Sequence, residues 1–161
     1  MLLLKKPLEQ TIFFILLSIA LGVGSNFFRS ESIPLLAQEL AVSDNVDLNS
    51  EEPVLLAISI DQAKEFFDEG VLFLDARDDA YYDEGHIKGA MKNVFLMELI
   101  FNIEEKQTKN DPLVVYCGDP GCGDSEDLAY DLQNEGFTKL FVFKGGWLEW
   151  SKTNYPISGK R

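Results

Sequence analysis

Histidine is nearly absent from this sequence: His86 is the single one in 161 residues, and cysteine is limited to Cys117 and Cys122. A metal centre built from these three would lack a fourth strong ligand at a familiar spacing, so no metal and no cofactor is expected. Two cysteines are also too few to staple a fold, which makes their closeness in the chain more informative than their number. Cations are outnumbered, with 14 Lys and Arg against 27 Asp and Glu and a formal net charge of −13. That balance excludes wholesale binding to a phosphate backbone, and no nucleic-acid partner is expected. No internal repeat is visible. A chain of this length with 46% apolar residues corresponds to one ordinary domain with appendages.

What residues 1–29 lack is charge along one stretch. Lys5 and Lys6 precede a run from Ile12 to Phe28 that contains no charged side chain. As a helix this run would measure about 26 Å, slightly under a hydrocarbon core of roughly 30 Å. Adding Leu8 lengthens it and brings in Glu9. Two readings fit. One is a retained transmembrane anchor with Phe27, Phe28 and Arg29 at the interface. The other is a signal segment cut near Ala20-Leu21-Gly22 or Gly22-Val23-Gly24. A core helix is a third reading, opposed by the lack of a polar face. Lysines before the run and acids after it keep the N-terminus inside and place the rest on the extracytoplasmic (periplasmic) side, with the membrane as a partner. Residues 30–53 follow as an acidic flexible linker, in which Glu31, Glu39, Asp44, Asp47, Glu51 and Glu52 are spread among polar residues. The globular domain is expected over 54–161.

Within that domain, strand and helix signals alternate. Ser59-Ile60-Asp61-Gln62 has the form of a capping box, and the helix it opens stops at Gly70. Val71–Leu74, Leu113–Tyr116 and Leu140–Phe143 are continuous apolar runs of strand length, as expected for strands buried on both faces. Between the last two, Leu128, Ala129 and Leu132 share one helical face, and Gly136 ends that helix. Buried strands joined by single helices imply right-handed crossovers and a mainly parallel sheet, hence an α/β domain of three layers. In such sheets ligands bind beyond the carboxyl ends of the strands.

Cys117 stands at such an end, directly after Leu113–Tyr116. It is followed by Gly118-Asp119-Pro120-Gly121-Cys122-Gly123-Asp124, and a helix opens at Ser125. The glycines let backbone amides turn inward, and the helix adds free amides and the positive end of its dipole. A thiol held there, ordinarily titrating at about 8.5, moves toward the thiolate near neutrality. The competing reading is a half-buried cysteine at a strand end with no chemistry.

Three segments then resemble the rhodanese family. Leu74-Asp75-Ala76-Arg77 with Gly85-His86-Ile87-Lys88-Gly89-Ala90 and Asn93 is similar to its first signature. Tyr116-Cys117, the glycine-bearing loop, Leu128-Ala129 and Gly136-Phe137 are similar to its active-site segment. Lys144-Gly145-Gly146-Trp147 with Trp150 and Pro156 is similar to its closing motif. The resemblance spans about residues 56 to 158. It implies a rhodanese-like fold and a sulfurtransferase in which Cys117 accepts a sulfane sulfur as a persulfide and passes it to a thiol acceptor. The loop Gly118, Asp119, Pro120, Gly121, Gly123, Asp124 and Ser125 would bind the substrate.

The sequence also departs from that pattern. Tyr81 precedes Tyr82 where the family often has Glu, and Lys88 replaces a frequent proline. The active-site loop is about two residues longer than the usual short sulfurtransferase loop. No arginine precedes the helix; Gly123 and Asp124 hold that neighbourhood. Phosphatase loops of related fold end in an arginine that clamps phosphate, so phosphatase chemistry is not expected. Asp119, Asp124, Glu126 and Asp127 make the surroundings acidic. One carboxylate at about 7 Å opposes a thiolate by roughly 2 kcal/mol in an effective dielectric near 20. The sulfur donor is accordingly expected to be uncharged, protein-bound or polysulfide-like. His86 is read as structural rather than catalytic, the Asp75–Arg77 pair as structural rather than a substrate contact, and Trp147 and Trp150 as core and rim packing. Cys122 has three readings: a chance small residue, one end of a permanent bridge, or a resolving cysteine that attacks the Cys117 persulfide, releases sulfide and leaves a disulfide. The functions in competition are a sulfurtransferase, a rhodanese-like binding or sensing module of low turnover, and a Cys117/Cys122 thiol–disulfide device.

Overall fold

The structure, a computed structural model, describes residues 7–29, 40 and 53–159. Residues 1–39 and 40–161 form two separate units. In the first, helix α1 (Pro7–Phe27) buries none of its residues. Proline suits the first helical position because its missing N–H would have no partner there. The helix begins earlier than the uncharged run and takes in Leu8 and Glu9. Its 21 residues span about 31 Å, long and apolar enough to cross a hydrocarbon core by length and composition. Most of the acidic segment 30–53 lies outside the described residues. Leu40 within it packs against the core of the second unit.

The second unit runs β1 (Val54–Ile58), α2 (Ile60–Asp68), β2 (Leu72–Asp75), α3 (Asp79–Glu84), β3 (Gly85–Ile87), β4 (Met91–Lys92), α4 (Leu96–Glu104), β5 (Leu113–Tyr116), α5 (Asp124–Asn134), β6 (Lys139–Phe143), α6 (Gly146–Trp150) and β7 (Ile157–Gly159). Five strands form one sheet in the order β1-β6-β5-β2-β4, every pairing parallel, while β3 and β7 make a separate antiparallel pair. The α/β architecture with a mainly parallel sheet is therefore as the sequence implied.

The apolar runs are strands because each side chain of β5 finds cover. Leu113 and Val115 join Leu99, Ile100 and Ile103 of α4 and Leu128, Ala129 and Leu132 of α5. Val114 and Tyr116 point the other way, with Phe66 of α2 and Trp150 of α6. These two clusters fill the spaces between the sheet and the helices on either face of it, giving a three-layer domain. Burying a Leu or Phe side chain contributes about 1.5–3 kcal/mol, so the clusters outweigh the helix propensity of any one segment. The capping box is present: Gln62 N–H donates to Ser59 Oγ at 3.3 Å and Ser59 N–H to Gln62 Oε1 at 2.9 Å. Several boundaries differ from expectation, β6 for one beginning at Lys139 rather than Leu140. Strand β2 is shifted by one residue, from Val71–Leu74 to Leu72–Asp75, because Asp75 pairs in register with Tyr116 and Lys92. Helix α5 opens at Asp124 rather than Ser125, the Gly123 carbonyl accepting from Glu126 and Asp127.

Candidate active site

The parallel register aligns the last residues of three strands, Asp75 of β2, Tyr116 of β5 and Phe143 of β6. The chain segments leaving them converge on one cleft of about 470 Å³. It is lined by Arg77, Asp78 and Tyr81 after β2, by Cys117, Gly118, Asp119, Cys122 and Asp124 after β5, and by Trp147 and Leu148 on α6 with Ser151 at its end. This is the carboxyl edge at which a parallel sheet binds ligands.

Cys117 is 3% exposed at this edge. The loop behind it is shaped by Asp119, whose carboxylate accepts from Gly121 N–H at 2.8 Å while its carbonyl accepts from Cys122 N–H at 3.1 Å. Pro120 and Gly121 occupy the middle of this turn, as turn chemistry favours. The turn folds Cys122 back until its Cα lies 6.1 Å from that of Cys117, and the two sulfurs form a disulfide. That separation is inside the range a bridge requires. Asp124 Oδ2 stands 3.4 Å from Cys122 Sγ and 3.8 Å from Cys117 Sγ. The joined sulfurs carry no hydrogen, so these are approaches of an anion to a disulfide; a reduced thiol could donate to that oxygen. The two sulfurs and the Asp124 carboxylate lie within 4.8 Å of one another, three donors where a structural zinc site takes four.

The other side of the loop is fixed by α6. Trp147 N–H donates to the Cys117 carbonyl and Leu148 N–H to that of Gly118, both at 2.8 Å. The approach is possible because Gly146 has no side chain. Its φ is +56, and a Cβ there would sit 2.4 Å from the Cys117 carbonyl oxygen. The Gly145-Gly146-Trp147 motif thus holds the cysteine loop in place.

Beneath the cleft lies a buried polar network. Arg77 donates to Asp75 through Nε at 2.9 Å and Nη2 at 2.6 Å, and through Nη2 to the Gly85 carbonyl at 2.7 Å. Tyr116 donates its hydroxyl to Asp75 Oδ2 at 2.6 Å and accepts from Ile87 N–H at 3.1 Å. Burial, then the Asp75 charge, hold the Tyr116 phenol far above its ordinary range. Burial pulls the Arg77 guanidinium down, but its hydrogen bond and ion pair with Asp75 outweigh that and raise it. The guanidinium also stacks over the Trp147 ring, 5.0 Å from its centroid. Arg77 is therefore both a partner of Asp75 and part of the cleft wall, its charge already answered by Asp75.

Of the residues singled out in the sequence, the cleft gathers Cys117, Cys122, Gly118, Asp119 and Asp124. Pro120, Gly121 and Gly123 shape the loop without lining the cleft, and Ser125 is buried in the first turn of α5. His86 stays outside: its ring stacks on Tyr82 at 3.8 Å and its Nδ1 lies 2.9 Å from the Tyr82 carbonyl. Trp150 is buried in the aromatic core, donating to the Pro156 carbonyl at 3.0 Å. Asp78, Tyr81, Leu148 and Ser151 are wall residues that sequence reasoning missed. Tyr81 carried a signal, as a departure from pattern; the other three carried none.

The chain is similar to the tRNA uridine(34) hydroxylase of Aster yellows witches'-broom phytoplasma, 31% identical over 122 residues, an alignment covering 70% of this chain and 37% of that protein. It thus spans little more than a third of the length of such curated relatives. Among solved structures it is similar to the rhodanese-like domain of an Anabaena protein, with 25% identity and a TM-score of 0.52 over 63% of this chain and 76% of that one. Its fold is also shared with thiosulfate sulfurtransferase from Pseudomonas aeruginosa, at 17% identity and a TM-score of 0.53, over 65% of this chain and 20% of that one. The Rhodanese-like domain model matches residues 59–153, which takes in α2 to α6 and with them all three converging segments of the cleft; the chain belongs to the Rhodanese-like domain family.

Proposed function

We propose that this domain is a sulfurtransferase that carries sulfane sulfur on Cys117 and delivers it to a thiol acceptor. The observation that supports it is the position of Cys117 at the end of β5, on the wall of the cleft and within bridging distance of a second cysteine. With the bridge reduced, the Cys117 thiolate attacks the outer sulfur of a persulfide or polysulfide. A new S–S bond forms on Cys117, the donor's S–S bond breaks, and the donor leaves as a thiolate. An acceptor thiolate then takes the terminal sulfur and regenerates the Cys117 thiolate. Cys122 gives the persulfide a second exit: it attacks the Cys117 sulfur, expels sulfide and closes the disulfide. The bridge itself favours a further reading, a dithiol–disulfide couple in which no sulfane sulfur is carried.

In this proposal α1 holds the domain at the extracytoplasmic face of a membrane, where disulfides persist and membrane thiol systems reduce them. The hydroxylation named for the phytoplasma relatives is not extended to this chain, whose net charge of −13 opposes an RNA substrate. The test is intact mass of the full-length protein, reduced, freed of reductant and exposed to polysulfide. An adduct of about +32 Da, one sulfur atom, is expected to persist on Cys122→Ser, where resolution is blocked, and is lost in Cys117→Ser; the wild type passes through it to the disulfide. An adduct that survives in Cys117→Ser overturns the assignment; its absence from every form leaves the dithiol–disulfide couple.

A further inference from the structure

The charges around the bridge set which sulfur compounds can reach it. Asp124 lies within 4 Å of both sulfurs, and Asp78 and Asp119 line the same cleft. Among the described residues Arg77 is the single cation on the lining, and Asp75 neutralises it through two hydrogen bonds. Beyond the loop, Lys144 is taken up in an ion pair with Glu126. The remaining wall, Tyr81, Trp147 and Leu148, is uncharged and largely apolar. A ligand entering here meets three carboxylates and an aromatic face, an arrangement that attracts cations and repels anions.

From this we infer that the cleft selects cationic sulfur partners: thiols, disulfides or persulfides that carry an ammonium or guanidinium group near the reacting sulfur. Asp124 is the specificity-determining residue, and Tyr81 supplies an exposed aromatic face for the cation, the Trp147 ring being already covered by Arg77. The inference deepens the sulfur-carrier reading by naming the charge class of its partners, but it requires only that the cysteines react. The same preference operates if the domain is a dithiol–disulfide couple.

The step that reads it out is thiol–disulfide exchange. The reduced Cys117 thiolate attacks one sulfur of a symmetric disulfide, the probe's S–S bond breaks, and one half leaves as thiolate. Cys122 then attacks the Cys117 sulfur of the mixed disulfide, expelling the second half and closing the bridge. The protein dithiol loses two electrons and the probe gains them. Full-length protein, reduced and freed of reductant, is mixed at low ionic strength with cystamine, hydroxyethyl disulfide or dithiodipropionate, which are dicationic, neutral and dianionic. Each rate is divided by that probe's rate with a small uncharged thiol, which removes intrinsic reactivity.

The expected order is cystamine, then the neutral probe, then dithiodipropionate, with the extremes at least tenfold apart and converging in high salt. Asp124→Asn should compress the spread by about threefold or more, and Asp78→Asn by less. A peptide disulfide with lysine on each side of its cysteine, compared with a glutamate version, separates sources. A lysine peptide that outruns cystamine marks a polypeptide partner, and the reverse marks a small amino thiol. Equal normalised rates, or a faster dianion, overturn the inference. A charge order that holds while no polysulfide adduct forms removes the sulfur-carrier reading and leaves the selectivity standing. Loss of the spread while the adduct still forms does the opposite.

Discussion

Two groups of polar and charged residues sit at the carboxyl ends of neighbouring strands and behave oppositely. Asp75, Arg77 and Tyr116 are buried, and every polar side-chain atom buried there has a partner. Asp119 and Asp124 on the cysteine loop are exposed. The difference teaches that position on the sheet does not decide a charged residue's role; solvent does. In the buried network each group is held by fixed partners, so removing one leaves a desolvated charge behind. On the loop, water screens each carboxylate, which leaves stability little affected but still tunes what approaches the sulfurs.

That contrast can be broken at several points. Asp75→Ala should be the most damaging, because Arg77 would be left buried without its counter-ion. A loss of about 3–5 kcal/mol is expected in urea unfolding, and a loss under 1 kcal/mol would mean the network is not a scaffold. Gly146→Ala comes next, at about 3 kcal/mol, from the left-handed backbone and a collision with the Cys117 carbonyl. Its reaction with disulfides should slow as well, since the loop must shift. Unchanged stability there would show that α6 does not clamp the loop.

Tyr116→Phe removes a donor to Asp75 and an acceptor for Ile87, for about 2 kcal/mol near neutrality. The pH dependence gives this prediction a sign. The phenol's pKa is raised in the folded state, so the stability it contributes is complete below its ordinary value of 10.0 and is lost as pH rises above that value. The wild type should therefore lose stability more steeply above about pH 10 than the Phe variant; parallel curves would contradict the buried-phenol picture.

On the loop the expectation reverses. Asp124→Arg should raise thiosulfate kcat/KM at least tenfold, about 1.4 kcal/mol of barrier, with an unfolding midpoint close to wild type. A fast wild type unaffected by the substitution would refute the electrostatic argument. Ser59→Ala, on the segment after β1 and outside the cleft lining, is the control: loss of the cap should cost about 1 kcal/mol and leave thiol reactivity alone.

Much of the fold was legible because its signals are local. The Ser59–Gln62 box and the β5 run from Leu113 to Tyr116 appear where expected. Helix α4 carried apolar spacing at Leu96, Leu99, Ile100 and Ile103 and was passed over, although its three buried residues complete one face of the core. Its lack of a capping side chain removed the usual start signal.

By itself the sequence determined the layer order, the family and the placement of Cys117 at a strand end, since apolar runs, caps and turn residues act over a few positions. Tertiary structure alone decided the rest. Register brought Asp75, Tyr116 and Phe143 level, and only that alignment puts Arg77, Tyr81 and Trp147 around one cleft. The hydrogen bonds from Trp147 and Leu148 to the Cys117 and Gly118 carbonyls then pin the cysteine loop. Hydrogen bonds to residues far along the chain fix that loop, and no local pattern encodes such partners.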